Sequence, residues 1–134
     1  MRPLRRFRSD RSGASAVEFA LIAPCFITIL MAICELAFVF FTLNTAQQAV
    51  WDAGRQLAVG RTTPAQARDA VISALPQWVR TQATVTADKD PADATRYLVQ
   101  ASIPIAAATP TNFLAAVFGG NVMTASATLM QETQ

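Results

Sequence analysis

Three hydrophobic rhythms follow one another along the chain. From Phe19 to Leu43 nearly every position is apolar, and Glu35 is the single charge in those 25 residues. About 20 apolar residues suffice for a helix to cross a bilayer. The run therefore predicts a membrane helix rather than the shorter core of a cleaved secretory signal. From Asn44 to Val59 the apolar positions thin to every third or fourth residue. Ala46, Ala49, Val50, Ala53 and Leu57 form one stripe, with Gln47, Gln48, Asp52, Arg55 and Gln56 on the other side. The helical spacing does not break between the two regions. It predicts one helix from about Ala16 to Val59, stopped at Gly60. Thr63-Pro64 then reads as a cap followed by proline at the first helical position. Ala67, Ala70, Val71, Ala74 and Leu75 would be the apolar face of this second helix, which ends near Pro76.

Past Trp78 and Val79, expected to cover the join between helix and sheet, the period changes from helical to alternating. Thr84-Val85-Thr86 reads as one strand. Tyr97, Val99, Ala101 and Ile103 mark a second, and Met123, Ala125, Ala127 and Leu129 a third. Asp88 to Asp93, rich in aspartate, reads as a solvated turn; its spacing lacks the EF-hand pattern. Asn112 to Phe118 reads as a short helix with Gly119-Gly120 as its exit, and the glycine pair lacks the lysine and further glycines of a phosphate loop. The predicted class is α+β. A long N-terminal transmembrane helix continues as a spine into a small head with one or two short helices and about three antiparallel strands. Three segments follow: a leader over 1–13, the membrane helix and its amphipathic extension over 14–60, and the head over 61–134.

Composition sharpens this picture in two places. Charged residues make up 15% of the chain, against roughly 25% in soluble domains. The net charge of +2 is a property of the leader: Arg2, Arg5, Arg6, Arg8 and Arg11 face only Asp10, and the remainder is net acidic. That distribution gives no support for nucleic-acid binding. Cations before the apolar run and few just after it place the N-terminus in the cytoplasm, and residues 44–134 should then lie outside the inner membrane. Arg5-Arg6 is not read as a twin-arginine signal, because the helix is too long and too apolar.

Candidate chemistry is sparse. The chain has no histidine, which removes the commonest general base and most metal sites. Cys25 and Cys34, nine residues apart on one helix, are too far apart to bridge internally and read as small buried hydrophobes, with bridging between chains as the remaining reading. No phosphate loop, dinucleotide fingerprint, serine elbow or paired-carboxylate motif is present. The expectation is a non-enzymatic protein with no cofactor, no metal and no small-molecule substrate.

What stands out is Ser12-Gly13-Ala14-Ser15-Ala16-Val17-Glu18, placed between the basic leader and Phe19. A carboxylate at the threshold of a membrane helix needs a reason, and Glu35, deeper in the run, needs one more. The default reading of Glu35 is contact with another protein helix. Neither acid has a cationic neighbour between Phe19 and Asn44. A partner would come from another chain or from a new N-terminal amine. Pro24 lacks an N–H and crowds the carbonyl of Ala20, which predicts a kink or local melting.

The stretch Arg11 to Pro24 resembles the start of TadE-like pseudopilins, minor subunits of the Tad branch of the type IV pilus superfamily. Glu35-Leu36-Ala37-Phe38, Ala49 to Arg55 and the closing Met123 to Met130 are similar to later family segments. The resemblance implies cleavage by prepilin peptidase between Gly13 and Ala14. Glu18 would then be the fifth mature residue, pairing with the N-terminal amine of a neighbouring subunit. Other implied partners are pilin and pseudopilin subunits, the Tad inner-membrane platform and membrane lipid. Major Tad pilins carry tyrosine after the acid and are much shorter. Phe19 and the sizeable head favour a minor subunit. Two readings compete: an unprocessed single-pass anchor with a periplasmic binding domain, and a type II secretion pseudopilin. The latter usually has phenylalanine directly after the cut, where this chain has Ala14.

Overall fold

A computed structural model describes residues 12–111 and 120–131. The chain divides into two compact units at the Cys34/Glu35 boundary. The first consists, among the described residues, of helix only. The second is an α+β head that begins inside that helix. Helix α1 spans Ser12–Ala58 and contains Pro24. α2 spans Pro64–Ala74, and three strands follow: β1 at Thr84–Asp90, β2 at Asp93–Pro104 and β3 at Val122–Met130. A single turn of 3-10 helix, Ile105–Ala107, leaves β2. The expected helix over Asn112 to Phe118 lies outside the described residues, as do residues 1–11 of the expected leader and Gly119.

Each boundary has a local cause. At the end of α1, Gly60 takes φ +68, the left-handed conformation glycine adopts without strain. The Gly60 N–H donates to the Leu57 carbonyl at 3.0 Å and the Arg61 N–H to the Gln56 carbonyl at 2.9 Å. These two bonds are the Schellman termination, which satisfies carbonyls the helix leaves open. α2 starts with a capping box. The Gln66 N–H donates to the Thr63 hydroxyl, and the Thr63 N–H donates back to the Gln66 side chain at 3.0 Å. Thr63-Pro64-Ala65-Gln66 already carried that signature in sequence. Arg80 closes the other end, donating from Nε to the Leu75 carbonyl at 2.8 Å and from its second guanidinium nitrogen to the Ser73 carbonyl at 2.7 Å. A cation there also complements the helix dipole.

The sheet order is β1-β2-β3, antiparallel throughout. Its registers place Val85, Ala101 and Ala125 in one row and Ala87, Val99 and Ala127 in the next. These inward residues are buried, while Thr84, Thr86, Thr124, Ser126 and Thr128 are exposed. Alternation of this kind keeps one face dry and the other solvated. β1 is longer than the sequence pattern suggests, and the expected turn over Asp88 to Asp93 shrinks to Pro91-Ala92. β1 is an edge strand, so Asp88, Lys89 and Asp90 can pair in the sheet while their charges stay in water. The Asp90 carboxylate accepts the Ala92 N–H at 2.9 Å, an Asx turn that tightens the hairpin. On the far side, the Thr95 hydroxyl and N–H both donate to Asp93, and Arg96 lies 3.2 Å from it. Those hydrogen bonds, more than the nearby arginine, hold the Asp93 carboxyl below its usual range.

The core lies between the sheet, α2 and one stripe of α1. All five predicted stripe residues of α1 are buried, from Ala46 to Leu57. On α2 only Ala67, Val71 and Leu75 are; Ala70 and Ala74 are exposed. Val79 is buried, but Trp78 is 40% exposed and does not cover the helix–sheet join as expected. Its ring lies edge-on to Phe38 instead, with centroids 6.1 Å apart. The α1 stripe includes small residues, Ala46, Ala49 and Ala53, beside Val50 and Leu57. At Gly54 the helix lies close to the sheet: a Cβ there would run into Leu129 Cδ1 and touch Val99 and Ala127.

This geometry predicts that Gly54→Leu destabilises the head by about 3 kcal/mol or more, because overpacking a tight contact forces neighbours to shift. Gly54→Ala has a much smaller effect, since the Leu129 methyl can turn away and alanine favours the helix. Chemical unfolding of the detergent-solubilised chain measures both. Equal unfolding midpoints for Gly54→Leu and the parent chain would refute the close approach.

Candidate assembly site

The residues singled out in the sequence fall into two groups, and the structure does not bring them together. Gly13, Ala14, Glu18 and Phe19 lie at the start of α1 and are all exposed, Phe19 at 72%. Among the described residues nothing stands within 4 Å of where a Gly13 Cβ would be. The Gly13–Ala14 bond and the Glu18 carboxylate are thus open to other molecules. Helix α1 runs through Pro24 without interruption, so the expected local melting does not occur. The Thr28 hydroxyl donates to the Pro24 carbonyl at 2.8 Å. Cys25 and Cys34 are unbridged and exposed.

Glu35 belongs to the second group, inside the head. It is 1% exposed. A buried carboxylate is costly unless it is hydrogen-bonded, and the Thr111 hydroxyl donates to its Oε1. Seven residues on, which is two helical turns and the same face, Thr42 is fully buried and donates to the Ala108 carbonyl at 3.0 Å. Ala108 to Thr111 is therefore strapped along α1 by two polar side chains of the helix. The Thr109 hydroxyl donates to the Thr111 carbonyl at 2.6 Å and stiffens the strap. The Trp78 indole N–H also reaches the Ala108 carbonyl, at 3.4 Å.

Sequence reasoning looked for a companion of Glu35 on another chain and missed Thr111, 76 positions away in its own. One signal was available. Carried back toward the N-terminus, the Leu57–Ala53–Val50–Ala46 stripe passes through Thr42 and Glu35. Polar groups on the face of a helix that packs against the rest of its own chain point to partners in that chain.

The architecture defines a class: an α+β head built on a helix that is long and apolar enough to cross a membrane, which suggests membrane anchoring. The family model described as TadE-like protein matches residues 13–55, from the small residues at the start of α1 to the helix segment that packs on the sheet. Over this stretch, about a third of its length, the chain is similar to that family. No curated protein and no solved structure matches the chain.

Replacing Thr111 with valine removes a donor to the buried carboxylate and is expected to cost about 1–2 kcal/mol. Thr111→Ser keeps the hydroxyl and should cost less than half of that. Unfolding of the two variants side by side reads the difference. Indistinguishable variants would show that the hydroxyl contributes nothing to the strap.

Proposed function

We propose that this protein is a minor pseudopilin of a Tad-type pilus or secretion system. It is synthesised with an arginine-rich leader, cut between Gly13 and Ala14 by prepilin peptidase on the cytoplasmic side, and held by α1 in the inner membrane with its head in the periplasm. From there it joins other pilin subunits or the Tad platform. Its role is structural and not enzymatic. The observation that carries the reading is the TadE-like match, which starts at Gly13 and includes Glu18. The exposure of both residues at the start of α1 supports it.

The chemistry of assembly follows from charge burial. Cleavage frees the amine of Ala14. A carboxylate and an ammonium are each costly in a bilayer or a packed helix bundle. Pairing Glu18 of one subunit with the Ala14 amine of the next offsets both costs and sets the register between them. Ala14, Ser15 and Ala16 let the helices approach closely at that point. Phe19 then enters the apolar bundle.

N-terminal sequencing of protein isolated from its native host is expected to start at Ala14. An intact leader on protein from piliated cells would favour the unprocessed single-pass anchor. Glu18→Ala is expected to leave the protein in the membrane and processed while pilus assembly falls at least tenfold, scored by counting surface fibres. Normal fibre numbers in that variant would rule out the pairing role.

A further inference from the structure

Between Glu35 and Thr42 the head covers one face of α1 and leaves the others open. Glu35 and Thr42 are buried, whereas Leu36, Phe38, Phe40 and Phe41 are 42%, 37%, 66% and 56% exposed. At about 100° per residue, these open apolar positions and Ala37 cover an arc of roughly 200° around the helix. A partner helix covers a stripe about half as wide, whereas a lipid environment covers the whole arc. Trp78, from the segment after α2, extends the same surface beyond the helix. Its ring stands at 90° to Phe38, and Ala37, Phe38, Phe41 and Trp78 line a shallow depression that contains no charged side chain.

Position along the helix points to the same solvent. Counting about 20 residues for a bilayer crossing, from Ala14 or from Phe19, puts the far boundary between Ile33 and Phe38. Aromatic side chains concentrate at such boundaries, where an apolar ring meets a wet surface. Resting on the membrane-anchor reading, we infer that the head is seated in the outer lipid–water interface of the inner membrane, with Phe38, Phe41 and Trp78 immersed among the upper acyl chains. The head is then held against the bilayer and does not swing free above it. α2 and the hairpin of β1 and β2 are presented at a fixed height to other periplasmic components.

The chain supplies its own control. Its two tryptophans are both partly exposed, Trp51 at 47% and Trp78 at 40%. Trp51 lies 13 positions beyond Phe38 on α1, about 20 Å further along the helix. Full-length Trp51→Phe and Trp78→Phe are reconstituted into phosphatidylcholine–phosphatidylglycerol vesicles brominated either high or low on the acyl chain. Circular dichroism confirms that each variant is folded, and the unsubstituted chain, quenched as the sum of the two, guards against a misfolded variant. Trp78 emission is expected to be quenched several-fold more than Trp51 emission, and more by high than by low bromines. Equal quenching of the two in chains that resist alkaline extraction overturns the inference and leaves the anchor intact. Release of the chain by alkali with neither tryptophan quenched overturns both. Loss of the Trp78 quenching as the protein-to-lipid ratio rises assigns the surface to a second protein and also overturns the inference.

Discussion

One helix face carries the head. The α1 stripe from Glu35 to Ala58 is the surface on which the sheet, the strap and α2 are assembled, and its small residues control how close they come. Helices pack on sheets through side chains, and the usual spacing leaves room for leucine or valine between the backbones. Here Ala46, Ala49, Ala53 and Gly54 give that room up. The sheet answers with small residues, Ala101, Ala125 and Ala127, at the centre of its inner face. Volume is recovered at the margins by Leu75, Ile103, Val71 and Val79, which are among the largest fully buried side chains. A head of this size can bury only a modest core. Close approach at Gly54 lets it pack along the helix from Glu35 to Ala58.

The same helix meets two environments. Up to Cys34 it is apolar and exposed on nearly every side, a pattern that fits lipid and not water. From Glu35 onward one face is claimed by the head. The transition is marked by polar residues on the claimed face and aromatic residues on the others. Glu35 and Thr42 are tolerated in an apolar run because the strap brings hydrogen-bond partners to them. Glu18, in the first unit, is exposed, whereas Glu35 is buried and hydrogen-bonded within its own chain.

Much of this was legible in the sequence. The types and approximate lengths of α1 and α2, the stop at Gly60, the cap at Thr63 and the inward residues of β2 and β3 follow from periodicity and local hydrogen bonding. These depend on residues a few positions apart. The misreadings share a cause. Asp88 to Asp90 read as turn because charge disfavours strands, yet an edge strand leaves charges in water. Trp78 was assigned to the helix–sheet join by its size, yet it turned toward Phe38, 40 positions earlier. Of the kink or local melting expected at Pro24, the melting is absent: α1 continues through it.

The sequence by itself determined the elements, the membrane-length helix and the TadE-like pattern over residues 13–55, because each is written in neighbouring residues. Only the tertiary structure decided what Glu35 is for. A donor comes to it from Thr111, and no rule of local spacing connects a helix to a loop that reaches it after a second helix, two strands and a turn. The same holds for Gly54, whose role depends on Leu129 lying across from it. Contacts between distant segments are set by how the whole core closes, and that information is spread over the chain.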